Sequence, residues 1–183
     1  VAAPTKGDVL MNSLVSRLTT KNIVLLGLLI ALNLVVAKFL SFGIWSVRIS
    51  FTFVVTFLMA AWFGPLLAGL ANGCADVVGT LLLGSGNYFF GFTISAVLAG
   101  VFYGTFFYQK EITNWRILAA ILCNLILVDS LLNTWWITLL YHASFMAIFP
   151  LRAVKELLML PVQFIVLKLL SKNQALLHLK NRI

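Results

Sequence analysis

Acidic side chains are scarce in this sequence. Only 5 Asp and Glu stand among 183 residues, against 13 Lys and Arg, and charged residues of both signs make up 10%. A soluble domain carries about 25% charged residues, so water is not the main solvent of this chain, and almost any soluble enzyme is excluded. The 2 cysteines, Cys74 and Cys123, both lie inside apolar runs and make no disulfide framework. The 2 histidines, His142 and His178, lie too far apart in sequence to read as a ligand pair, and neither HExxH nor CxxC occurs. GxxxxGK(S/T) is missing, so the chain has no phosphate loop with which to hydrolyse ATP itself. No GxSxG supports a serine nucleophile. These gaps together read as a protein that is not an enzyme and binds no cofactor or metal of its own.

What fills the sequence is apolar: 62% of residues, with 13% aromatic. Six apolar runs cover residues 23–40, 51–63, 66–83, 88–108, 117–141 and 151–170. A bilayer span takes about 20 residues, so six spans use roughly 120 of the 183. Lipid offers no water to backbone groups, so such runs must be helices, and the strict alternation of barrel strands is absent. The expectation is an all-α integral membrane protein with six transmembrane helices in one compact bundle over residues 11–183. Residues 1–10, ahead of Met11, read as a cloning remnant or a disordered N-terminus. The net charge of +8 is distributed between the runs, which points to positive-inside sorting and not to nucleic acid. With the N-terminus inside, Arg17, Lys21, Lys110, Arg116, Lys168, Lys172, Lys180 and Arg182 lie at inner ends, and only Lys38, Arg48, Arg152 and Lys155 at outer ends. That asymmetry favours an N-in/C-in multi-pass protein of the cell membrane. Small residues recur at helix-packing intervals in Gly27/Ala31, Gly69/Gly73 and Ala96/Gly100/Gly104. Internal packing accounts for two of these stripes, and the third is expected to face another membrane protein.

The four outer cations break the sorting rule and ask for a reason. Two acids, Asp76 and Asp129, lie within spans, where a charge at the bilayer centre costs about 2.5–3.5 kcal/mol on insertion scales. Asn133 and Trp136 follow Asp129 at i+4 and i+7, on one helical face. Asn87, Tyr88 and Phe92 form an aromatic-rich cluster at the outer start of the fourth run, and Arg152, Lys155 and Glu156 share a face at the start of the sixth. Carboxylates, carboxamides, aromatic plates and cations gathered at one end make a pocket for a flat heteroaromatic molecule with an anionic tail.

Specific blocks add to this. Arg48-Ile-Ser-Phe-Thr-Phe, Gly64-Pro65-Leu-Leu-Ala-Gly69, Gly73-Cys-Ala-Asp76-Val-Val-Gly79 and Gly86-Asn87-Tyr88-Phe89-Phe90-Gly91-Phe92-Thr93 stand within residues 23–170. In these blocks the chain resembles the substrate-binding S components of energy-coupling factor (ECF) vitamin transporters, and the last block is most similar to their folate-specific branch. The resemblance implies a bacterial membrane subunit that binds its vitamin from outside with high affinity and releases it inside. It also implies a transmembrane coupling subunit and two ATPase subunits as partners, the latter using the ATP. Where the family often shows Ala-x-x-x-Ala in its first helix, this chain has Val35 four residues after Ala31, so Gly27 and Ala31 are the nearest docking patch. For folate, Asp129 or Asp76 is expected to accept the pterin N–H donors and Asn87 or Asn133 to meet its acceptors. Trp136, Tyr88 and Phe92 are expected to stack on the ring, and Arg48, Arg152 or Lys155 to pair with the glutamate tail. Alternatives are an S component for pantothenate, riboflavin or thiamine, and a stand-alone small secondary transporter, although no 3+3 inverted repeat is visible.

Overall fold

The computed structural model describes residues 19–44, 47–83, 88–142 and 144–173, without the side chains of 42–44, 47, 48 and 83. The expectations for residues 1–10 and for Arg17, Asn87, Lys180 and Arg182 lie outside the described residues. Six helices follow one another: α1 (Thr20–Phe39), α2 (Thr52–Phe63), α3 (Pro65–Leu83), α4 (Phe90–Phe107), α5 (Asn114–Tyr141) and α6 (Phe145–Lys172). Each corresponds to one of the six apolar runs. Thr20–Phe39, Pro65–Leu82, Phe90–Phe107 and Asn114–Tyr141 are long and apolar enough to cross a membrane, and α2 is a shorter apolar helix of 12 residues.

Three features depart from the sequence-based expectation. First, the fold is nearly, not wholly, helical. Ser41–Ile44 (β1) and Val47–Ser50 (β2) pair antiparallel between α1 and α2, with Ser41 opposite Ser50 and Gly43 opposite Arg48. Branched Ile44, Val47 and Ile49 suit this pairing, but two strands of four residues are too short for their alternation to stand out from a loop. Second, the middle of α5, Asn124–Leu132, is wound as a π-helix. Nothing in an apolar run announces such a change, because its signal is side-chain contact and not composition. Third, α6 begins at Phe145 and runs unbroken through Pro150 and Pro161. A proline removes one backbone bond, and in a membrane helix neighbouring groups make up for it.

Chain reversals sit where the backbone permits them. Gly64 adopts φ 84° between α2 and α3, with the Tyr108 ring 3.2 Å from where a Cβ would stand. His142 closes α5 in the left-handed conformation.

Packing is tightest where small residues face each other. A Cβ on Gly100 would fall 2.6 Å from the Ala68 carbonyl oxygen, and one on Gly104 would collide with the Pro65 backbone. Gly69 and Gly73 meet Val97 and Val101 from the other side. The stripes of α3 and α4 are therefore internal, as small-residue interfaces are. Gly27 has nothing within 4 Å of its Cβ position, and Gly27 and Ala31 lie on an exposed face with Leu28 and Val35. Helix α2 is the central one: nine of its residues, Phe53, Val55–Ala60, Trp62 and Phe63, are buried. Its Phe57 ring meets Phe107 edge-on at 4.9 Å.

Gly100→Val should lower the thermal unfolding midpoint in detergent, at a cost of about 1–3 kcal/mol for overpacking. Gly27→Val should leave that midpoint nearly unchanged, since its side chain enters open space.

Candidate ligand-binding site

Polar residues within the spans do not point at random. Asn33 of α1 donates from Nδ2 to Asn72 Oδ1 of α3 at 3.0 Å, and Thr56 of α2 donates to the same oxygen at 3.2 Å. One carboxamide thus ties three helices together away from water. All three residues are buried.

Across the bundle, Asp129 is the centre of a second cluster. Asn124 Nδ2 donates to its Oδ2 at 3.0 Å and Asn133 Nδ2 to its Oδ1 at 3.2 Å. Arg152 Nη2, from α6, donates to the Asp129 backbone carbonyl at 3.0 Å. Lys155 and Glu156, one turn further along α6, form an ion pair at 2.5 Å. Glu156 and Arg152 are both buried, although buried charges are rare unless paired.

Residues of both clusters border a cavity of about 480 Å³, within the range of small-molecule pockets. Residues of all six helices border it, and Ser41, Ile49 and Ser50 of the hairpin do so as well. Several bordering side chains carry buried polar atoms with no protein partner: Asn33 Oδ1, Asn72 Nδ2, Tyr103 OH, Asn124 Oδ1, Asn133 Oδ1 and Gln163 Oε1. An unmet buried polar group costs about 1–3 kcal/mol, and residues that carry such atoms cluster around this one space.

The aromatic wall is built by α4 and α5. Phe89 stands between Phe92, edge-on at 5.9 Å, and Trp136 at 5.8 Å. The Trp136 indole N–H donates to Ser95 Oγ at 3.1 Å, which fixes the ring. A Cβ on Gly91 would strike Phe89 and Trp136, so glycine lets this wall close. Also on α4, Thr93 Oγ1 donates to Asp76 Oδ2 at 2.8 Å and lies 3.3 Å from the Tyr88 hydroxyl.

Of the residues singled out from sequence, Asp76, Phe92, Asp129, Asn133, Arg152 and Lys155 border the cavity. Trp136 stands behind Phe89, and Tyr88 is 41% exposed at the start of α4. Arg48 is in β2 by its backbone, and its side chain lies outside the described residues, as does Asn87. Arg152 is buried and donates to the Asp129 backbone carbonyl of α5. Asp129, expected as a direct reader of ligand donors, has both oxygens engaged by carboxamides. Sequence reading passed over Phe89, Ser95, Asn33, Asn72, Asn124 and Gln163 as site residues. The available signal was amides inside apolar runs, which are costly in lipid unless they face the interior. Among the described residues no group of three His, Cys, Asp or Glu is placed to hold a metal.

Comparison with known proteins agrees with this architecture. Residues 21–171 match the family model of the ECF transporter, substrate-specific component. The chain is 36% identical over 155 residues to the folate transporter FolT of Clostridium novyi, covering 85% of this chain and 90% of that protein. It is 32% identical over 173 residues to FolT of Leuconostoc mesenteroides, covering 91% and 93%. A crystal structure of FolT bound with folic acid superposes with a TM-score of 0.82 at 38% identity, covering 86% of this chain and 98% of that one. The chain is a multi-pass membrane protein, and it belongs to the family of substrate-specific S components of ECF transporters.

Proposed function

We propose that this chain is the folate-binding subunit of an ATP-driven ECF importer. The observation that carries the proposal is its likeness, over most of its length, to a FolT structure that holds folic acid. The cavity fits that ligand in chemistry. Its aromatic wall of Phe89 and Phe92, backed by Trp136, suits a flat ring, and its buried amides suit a ring edge dense in donors and acceptors. Asp76, Asn87, Tyr88 and Asn133 complete the ring end in this proposal. Arg48, Arg152 and Lys155 meet the two carboxylates of the glutamate tail.

The subunit captures folate from outside a bacterial cell and releases it inside. It works with a transmembrane coupling subunit and two ATPase subunits, which supply the ATP chemistry. Exposed Gly27 and Ala31 on α1 are the proposed docking patch, because small residues on an open helix face allow another helix to approach closely. The single membrane domain sits with both termini in the cytoplasm.

Purified protein in detergent should bind folic acid saturably without ATP or partners, and quenching of tryptophan fluorescence will report it. Absence of binding to any pterin overturns the proposal. Replacing Lys155 by Ala should weaken folic acid by about ten- to a hundred-fold, as loss of a charge-assisted bond does. The same change should leave neutral hydroxymethylpterin nearly unaffected. In a cysteine-free background, a cysteine at Glu111 should react with an impermeant maleimide only from the cytoplasmic side. One at His142 should react only from outside.

A further inference from the structure

Charge is uneven along the bundle. The helices alternate in direction, so the starts of α1 and α5 and the ends of α4 and α6 share one end. The described charges there are Lys21, Lys110, Arg116, Lys168 and Lys172 against a single acid, Glu111. At the other end Lys38, Arg152 and Lys155 are balanced by Asp76, Asp129 and Glu156. Among the described residues, Lys110, Arg116, Lys168 and Lys172 pair with no carboxylate. Lys110 Nζ donates to the Thr105 carbonyl at 2.6 Å and Arg116 Nη1 to the Glu111 carbonyl at 3.1 Å, while Lys168 Nζ lies 5.7 Å from the Phe164 ring centre. These contacts cancel no charge, and Arg116 spends only one of its guanidinium donors on this bond.

Positive-inside sorting asks for cations at one end, but not for any place around the bundle. Here they flank an apolar strip. Ile165, Lys168, Leu169 and Lys172 follow at i, i+3, i+4 and i+7, one face of α6. Ile165 and Leu169 are exposed. The start of α5, Asn114–Cys123, packs against α6, and Ile117 and Leu167 are fully buried in the same core. Arg116 adjoins Ile117 and Lys168 adjoins Leu167, both half-buried, and Trp115 is exposed beside Arg116. Exposed indole rings settle at the level of lipid headgroups, and guanidinium groups match phosphate oxygens in geometry.

We infer that Arg116, Lys168 and Lys172 bind the phosphate headgroup of an anionic phospholipid, whose acyl chains lie along Ile165 and Leu169 with Trp115 beside the headgroup. Lipid is the occupant the surface fits, because unbalanced positive charge and exposed apolar side chains stand on one face. None of these residues borders the cavity, so the site is independent of the folate proposal.

The test places the purified protein in phosphatidylcholine nanodiscs that hold a minor share of brominated lipid, either phosphatidylglycerol or phosphatidylcholine. Bromine quenches tryptophan at short range, and the difference from Trp115→Phe isolates the signal of Trp115. Brominated phosphatidylglycerol should occupy the site about ten-fold or more in preference to brominated phosphatidylcholine, since each basic residue near a headgroup contributes about five-fold. The combined change Arg116→Gln, Lys168→Gln and Lys172→Gln should reduce that preference to about two-fold or less. Lys172→Gln alone, at an exposed position, should lower it by about two- to five-fold, which keeps the test in force if the triple variant does not fold. Equal quenching by the two lipids in the wild type overturns the inference and leaves the cations to an acidic protein surface. An undiminished preference in Lys168→Gln and Lys172→Gln overturns it as well. So does inorganic phosphate that removes the preference when chloride at the same ionic strength does not, because a free anion then holds the site.

Discussion

A polar group at membrane depth has no water to turn to, and this constraint organises the molecule. Backbone groups answer it by forming helices. Side chains answer it by meeting one another inside the bundle. Asn33, Thr56 and Asn72 join α1, α2 and α3, and Asn124, Asp129 and Asn133 with Arg152 join α5 to α6. Both clusters border one cavity, so residues that fasten the helices also line the space where a ligand fits. Stability and recognition share residues here. A change in either cluster therefore acts on both.

The rest of the bundle frames that space. Glycines on α3 and α4 let these helices approach until backbone nearly touches backbone, and that contact provides a rigid spine. Outward, the chain shows lipid a surface of leucine, isoleucine and valine, including Val24, Leu28, Leu70 and Leu157. Exposed apolar side chains would be a liability in water. Around a membrane bundle they are the solvent contact.

Much of this was legible in the sequence, and what was not has identifiable causes. Six helices followed from run length and from the lack of strict alternation. The substrate class followed from four short blocks and from the cations Arg48, Arg152 and Lys155 standing near intramembrane acids and aromatics in the apolar runs. Asp129, Asn133 and Arg152 were singled out because charges and amides stand out against an apolar background. The hairpin was missed because four-residue strands carry too little pattern. The π turn was missed because it is specified by the pairing of Asn124 with Asp129 in three dimensions, and a spacing of five looks unrelated on an α-helical wheel. Phe89 was overlooked among neighbours of the same kind. In a cluster of Phe and Tyr, only the fold decides which ring stands between the others.

Helix α2 has 12 residues, about 18 Å of rise, while a hydrocarbon core is about 30 Å thick. Were α2 on the perimeter, lipid would have to thin around it to relieve the hydrophobic mismatch. Being central, it leaves the missing two-fifths or so of the membrane's thickness as a well sunk into the bundle. The two short strands that precede α2 border that well through Ser41, Ile49 and Ser50, so the depth that the helix does not fill is open space walled by the hairpin.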